Sequence, residues 1–180
     1  MNKIKNLCIG LLVLLFFTYT YAEKKVCAFK GDYLGQARPG LIPKVFSPGI
    51  ISTDGVEHGS LVFSPDGREV YWSRVSKDFK KGAIWNMKQE NGKWSKPKIA
   101  PFSYEDARDL CPAFSASGKQ LFFTSMRPVN GKIGYNLWAV QKVKSGWSQP
   151  RPLGASVNNG HQSGCCPDKD NRLYFMSWKK

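Results

Sequence analysis

Phe63-Ser64-Pro65-Asp66-Gly67 runs into Val70-Tyr71-Trp72-Ser73, and Phe114-Ser115-Ala116-Ser117-Gly118 runs into Leu121-Phe122-Phe123-Thr124. The frame is the same in both: an aromatic, a serine, a turn closed by glycine, then a run of strand-forming side chains. A side chain that bonds its own backbone and a glycine free to take positive φ are the chemistry of a tight turn, and in the first copy proline also fixes φ. The aromatic and β-branched residues beside it suit a half-buried pleated surface. The likeness continues outward. Ala83-Ile84-Trp85 answers Asn136-Leu137-Trp138, and Trp94-Ser95-Lys96-Pro97 answers Trp147-Ser148-Gln149-Pro150. A weaker third copy, with a small slip in its turn, places Cys166-Pro167-Asp168-Lys169-Asp170-Asn171 before Leu173-Tyr174-Phe175-Met176-Ser177.

A period of about fifty residues marks propeller blades rather than short solenoid coils. Each complete period reads as four strands. In the first they lie near Leu61–Phe63, Glu69–Arg74, Ala83–Gln89 and Trp94–Ile99; in the second, near Pro112–Phe114, Gln120–Ser125, Asn136–Lys142 and Trp147–Leu153. Upstream, Ile42-Pro43-Lys44-Val45-Phe46-Ser47-Pro48 echoes Lys96-Pro97-Lys98-Ile99-Ala100-Pro101 and is expected to form a lone outer strand. The expected fold is all-β: β-propeller blades of four antiparallel strands in an incomplete ring, after an N-terminal signal helix. Its divisions are 1–22 (leader), 23–57 (segment with the lone strand), and blades 58–106, 107–157 and, in part, 158–180. A closed ring takes four to eight blades, so either further units or self-association would complete it.

These motifs resemble the TolB-like, WD40-like β-propeller repeats of bacterial envelope proteins. The resemblance rests on Phe63–Gly67, the Tyr-Trp-Ser strand after it, the degraded copies, and Asp32-Tyr33-Leu34-Gly35-Gln36 with Pro39-Gly40, and it covers Tyr33 to Trp178. It implies a binding platform, a partner domain of an envelope complex, or an attachment to a peptidase.

The first residues set the compartment. Lys3 and Lys5 precede the uncharged run Leu11-Leu12-Val13-Leu14-Leu15-Phe16-Phe17, and Thr20 and Ala22 are the small residues of a cleavage site. That is the layout of a secretory signal peptide, too short for a stable membrane span, with cleavage expected after Ala22. A periplasmic or secreted location follows. Cys27, Cys111, Cys165 and Cys166 would then meet an oxidising environment, in which three pairings are open; a bridge from Cys111 to Cys165 or Cys166 would staple neighbouring units.

The formal charge is +14. It is spread through Lys77, Lys80, Lys81, Lys88, Lys93, Lys96 and Lys98 among aromatic residues, as solvated edges and loops spread it. An anionic surface or glycan fits it better than nucleic acid. Aligned copies put Ser60, Cys111 and Cys166 at one position, and His58 and Asp109 two residues earlier. A metal set of His58, Asp109, Cys111, His161, Cys165 and Cys166 is the one soft-ligand constellation, although its spacings match no zinc signature. Glu105-Asp106 and Asp168-Asp170 read as turn residues. The tryptophans Trp72, Trp85, Trp94, Trp138 and Trp147 read as packing between units. No nucleophile elbow, His-Glu-x-x-His or phosphate loop is present, so neither catalysis nor a cofactor is expected. The functional expectation is a non-catalytic scaffold for a protein or peptide partner. The alternatives are a glycan- or polyanion-binding protein and the propeller piece of a longer hydrolase.

Overall fold

The computed structural model describes residues 30–178, so the expected signal helix, the cleavage site and Cys27 lie outside the described residues. The chain is all-β, with antiparallel sheets and one sheet curled into a half-barrel. The first sheet holds β1 (Val56–Glu57), β2 (Val62–Phe63), β3 (Glu69–Val75), β4 (Gly82–Glu90), β5 (Lys93–Trp94) and β6 (Lys98–Ile99). The second holds β7 (Leu110–Phe114), β8 (Gln120–Ser125), β9 (Asn136–Val143), β10 (Gly146–Trp147) and β11 (Arg151–Pro152). The third is the hairpin of β12 (His161–Pro167) and β13 (Leu173–Trp178).

The three turns quoted above are one device. The N–H groups of Gly67, Gly118 and Asn171 donate to the carbonyls of Ser64, Ser115 and Asp168 at 2.8, 2.9 and 3.1 Å. All three donors take positive φ, of 69°, 68° and 61°, where glycine carries no Cβ penalty and asparagine a small one. The first side chain of each turn then braces the strand: the hydroxyls of Ser64 and Ser115 accept from the N–H groups of Glu69 and Gln120, and the Asp168 carboxylate accepts from that of Arg172. The third turn is one residue shorter, since Pro167 pairs with Leu173 where Phe63 pairs with Val70.

The outermost strand of each full unit is broken in two. Ser95 and Ser148 sit at the breaks, their N–H groups donating to Lys88 and Gln141 carbonyls at 2.8 Å in both cases. Their hydroxyls accept from the N–H groups of the same two residues. Pro97 and Pro150 cannot donate to a ladder, so the serine supplies the last polar contacts before the strand resumes at β6 and β11.

Successive sheets pack face to face. Tyr71 and Ile84 of the first meet Leu121, Phe123, Trp138 and Val140 of the second around Ala100 and Phe102. Leu137 and Ala113 of the second meet Cys165 of the third, with Phe175 and Leu173 beside them. The opposite face of the first sheet, Val70, Trp72, Met87 and Trp94, is covered by Leu34 and Ile51 of the N-terminal segment. Each fully buried Val, Leu, Ile, Phe or Met among them contributes about 1.5–3 kcal/mol. The repeated tryptophans are packing residues: Trp72, Trp94 and Trp138 are buried and Trp85 and Trp147 half-buried. Trp94 and Trp147 also reach backward, donating from Nε1 to the Gly31 carbonyl at 3.1 Å and to Tyr71 Oη at 2.8 Å.

Three expectations are corrected. Ile42–Pro48 forms no strand; Ile42 and Val45 are exposed, Pro43 and Pro48 lack a donor, and no strand lies alongside to pair with them among the described residues. The first unit begins at Val56 rather than at 58, because β1 pairs with the far end of β3. Pairing also shifts the alignment of the inner strands. Glu57 lies opposite Arg74 and Leu110 opposite Thr124, so Glu57, not His58, is the counterpart of Asp109. Cys166 lies opposite Tyr174 as Ala113 lies opposite Phe122, so the counterpart of Cys111 is Gly164. β7 and β12 share one bulge, where Cys111 and Gly164 both take a φ of 53°, whereas the first unit has one residue more than β7 over the same ladder, between Glu57 and Val62.

The first turn should be legible in acid. The Ser64 hydroxyl and the Arg68 N–H hold the Asp66 carboxyl below the usual range, so its contribution is present above the unfolded value of about 3.9 and is lost as pH falls below it. Urea midpoints measured from pH 6 down to pH 2 should fall, and Asp66→Asn should flatten part of that fall; an identical slope in the variant would remove this role.

Candidate interaction face

Asp109 is wholly buried, and its carboxylate is gripped at both oxygens. Arg127 Nη1 donates to Oδ1 and Nη2 to Oδ2, each at 2.8 Å, and Ser103 Oγ donates to Oδ2 at 2.7 Å. Burial pushes the Asp109 carboxyl up, while the guanidinium and the hydroxyl pull against that shift. Nη2 of Arg127 also donates to the Phe102 carbonyl at 2.8 Å. The guanidinium lies 5.0, 5.5 and 5.6 Å from the ring centroids of Tyr104, Phe123 and Trp138. A charge in such a setting is tolerable because its partner is bidentate and a third N–H is taken by the Phe102 carbonyl. The pair ties the 102–109 connection to the end of β8, so Asp109 is structural and does not line an open channel.

The other candidates are dispersed. His58 is exposed and meets Phe79 edge-on at 5.8 Å. Cys111 is half-buried, its N–H donating to Ser73 Oγ at 2.9 Å, and its Sγ so close to Gly59 that an added Cβ there would lie 2.7 Å away. Cys165 faces the second sheet and Cys166 is exposed, since neighbours on a strand point to opposite faces. His161 is half-buried and stacked on Trp178 at 6.0 Å. Among the described residues no three His, Cys, Asp or Glu side chains gather as a metal site, so the expected constellation does not form. Cys111, Cys165 and Cys166 are free thiols, and no bridge joins Cys111 to either of the others. Burial pushes the Cys111 thiol up and, with the nearby Cys111 adding to the effect, pushes Cys165 up to about 12.

What the candidates do mark is one end of the molecule. β3 and β8 both run away from their glycine-closed turns, so the connections after them, 76–81 and 126–135, emerge at the opposite end. The connections entering β7 and β12 lie there too. Contacts string these loops together: His58 on Phe79, Lys81 Nζ 3.3 Å from Asp106, Arg108 Nη2 donating to Tyr135 Oη at 2.6 Å, and His161 against Gly134. Loop 76–81 holds its shape through Ser76 and Asp78, which repeat the hydrogen bonds of Ser64 and Asp66. The surface so formed exposes Phe79, Tyr104 and Ile133 beside Lys77, Lys80 and Lys132. Glu105-Asp106 belong here as well, on a short 3-10 turn.

Between the 126–135 and 153–161 connections lies an open cleft of about 670 Å3 lined by Asn130, Lys132, Ile133, Asn136, Asn159 and His161. Asn158 supports its wall: Oδ1 accepts from the Leu137 N–H at 2.8 Å, and Nδ2 donates to the Leu137 and Leu153 carbonyls at 3.0 and 2.8 Å.

Sequence reasoning passed over Arg127, Asn158 and the hydroxyls of Ser73 and Thr124. The last two do one job, accepting from the N–H of the bulge residue in the next sheet, Cys111 at 2.9 Å and Gly164 at 3.2 Å. Their signal was available as a hydroxyl four residues after each strand-opening Glu69 or Gln120. Searches against protein-family models and curated proteins return no match for this chain.

Two outcomes follow. Arg127→Met leaves a buried carboxylate unpaired and should cost about 3–5 kcal/mol in urea unfolding, with Asp109→Leu/Arg127→Met recovering much of it. A single variant within about 1 kcal/mol of the parent would contradict the assignment. In a Cys27→Ser background, a thiol reagent at pH 8 should label Cys166 rapidly and Cys111 and Cys165 only after denaturant is added; peptide mapping that finds Cys165 labelled first would contradict the packing described.

Proposed function

We propose that this chain is an exported, non-catalytic module of the TolB-like propeller kind, its sheets acting as blades and its loop end engaging a protein or peptide partner in the periplasm or outside the cell. The observation that carries the reading is the contiguous loop face, to which all three units contribute and which exposes aromatic and aliphatic side chains on rigid supports. Large apolar side chains ringed by polar groups are the usual anchors of protein interfaces.

Support for the blade reading comes from the equivalence of successive contacts. The face carrying Tyr71 in the first sheet is covered by the second, and the one carrying Phe122 by the third. Tyr174 and Met176, on the corresponding face of the third sheet, are 59% and 60% exposed. That uncovered face is what an incomplete ring would present, to a further unit or to another copy. The leader-like first residues and the resemblance noted above support export.

The test is chemical crosslinking and affinity capture from an envelope fraction, comparing the mature chain with Phe79→Ser/Tyr104→Ser/Ile133→Ser. Capture of one partner that persists at about 0.3 M salt and is lost in the triple variant is the expected result. Binding abolished by that salt, or unchanged by the triple substitution, would overturn this reading, the former in favour of a polyanion ligand.

A further inference from the structure

The cleft between the 126–135 and 153–161 connections is chemically one-sided. Its six named lining residues include one ammonium, one imidazole and three carboxamides, and no carboxylate faces into it. The surrounding chain is strongly basic, at +14. Several polar groups here are not used by the fold. His161 Nδ1 is buried without a hydrogen-bond partner, close to Gly134, where an added Cβ would lie 3.7 Å from it. Asn130 and Lys132 are exposed at the rim. The fold's own demands are met by others: Asn158 spends its whole carboxamide on the strands, and Asn136 turns Nδ2 to the Gly134 carbonyl at 3.0 Å.

Resting on the interaction-module reading, we infer that this cleft seats an extended acidic peptide segment of the partner. A carboxamide offers a donor and an acceptor together, the pair that an extended main chain presents, so Asn130 matches a backbone amide from one wall, while Asn159, its Oδ1 3.3 Å from the Gln162 carboxamide, offers Nδ2 from the other. Lys132 meets a carboxylate side chain, and the exposed Ile133 and the Val129 beside it accept an aliphatic neighbour. A sugar or a nucleic-acid base would need an open aromatic face; Trp178, the ring beside the cleft, already has His161 stacked on it at an interplanar angle of 13°. The cleft volume is within the range of ligand-binding clefts.

The experiment uses the mature chain and a fluorescein-labelled alternating Glu-Val peptide, read by anisotropy, with a Lys-Val peptide and an oligogalacturonate as competitors. Lys132→Glu should weaken the Glu-Val peptide about tenfold or more and Asn159→Leu several-fold, with circular dichroism unchanged because both positions are exposed. Lys119→Glu, at the glycine-closed turn on the other end, should leave binding as it was. Equal weakening by Lys119→Glu and Lys132→Glu, or displacement by oligogalacturonate in preference to the unlabelled peptide, overturns the inference. If the cleft variants bind normally while Phe79→Ser/Tyr104→Ser still loses its partner, the cleft assignment fails and the module reading stands; if neither set matters, both fail.

Discussion

Arg127 places a guanidinium among Tyr104, Phe123 and Trp138, between the first two sheets, where solvent no longer offsets its charge. Asp109 is what permits it. The carboxylate comes from the residue that leads into β7, and the arginine from just beyond β8, so their pairing closes the inner edge of the second sheet. Ser103 and the Phe102 carbonyl extend the grip to the chain arriving from the first sheet. The apolar packing of Tyr71, Phe102 and Phe123 supplies the larger free energy, but it is non-directional and would tolerate sliding. A bidentate pair does not, which gives the loop end a defined shape.

Around that fixed point the same contacts recur with different residues. A hydroxyl on β3 or β8 accepts from the bulge of the following sheet; a tryptophan from β5 or β10 donates to what lies before it. At the turn end, Glu69 joins the sheets: Lys142 Nζ is 2.7 Å from its Oε1, and Tyr71 Oη donates to Oε2 at 2.8 Å. Burial and the neighbouring Glu69 push the Tyr71 phenol up, so it remains a donor at any ordinary pH. Stability therefore grows sheet by sheet, as expected of quasi-linear arrays in which each unit mainly touches its neighbours.

The central strands of both full units and the three turns were legible because their chemistry is local: runs of aromatic and β-branched side chains, a serine bonded within its own turn, a residue at positive φ. The alignment of inner strands was not. An extra residue in a strand carries no compositional mark: the first unit has one more than β7 over the same ladder, which displaced His58 against Asp109, and only the pairing of Pro167 with Leu173 shows that Gly164, not Cys166, matches Cys111. The echo at Ile42–Pro48 misled for a related reason: it has an outer strand's composition but no neighbour to pair with, and an edge segment without a ladder is not a strand. The metal constellation dissolved because alternation turns Cys165 and Cys166 to opposite faces and an ion pair already occupies Asp109.

By itself the sequence determined that this is a repeated, antiparallel, aromatic-rich β structure, since propensity, turn chemistry and periodicity act within a few residues of each position. Only the tertiary structure decided which polar residues are spent on the fold and which face outward. Asp109 and Arg127 are eighteen residues apart, and Asn158 is twenty-one from the strand it braces. Whether such a group is buried and satisfied, or left at the rim of a cleft like Asn130 and Lys132, depends on how sheets stack, and stacking is a property of surfaces brought together from distant parts of the chain.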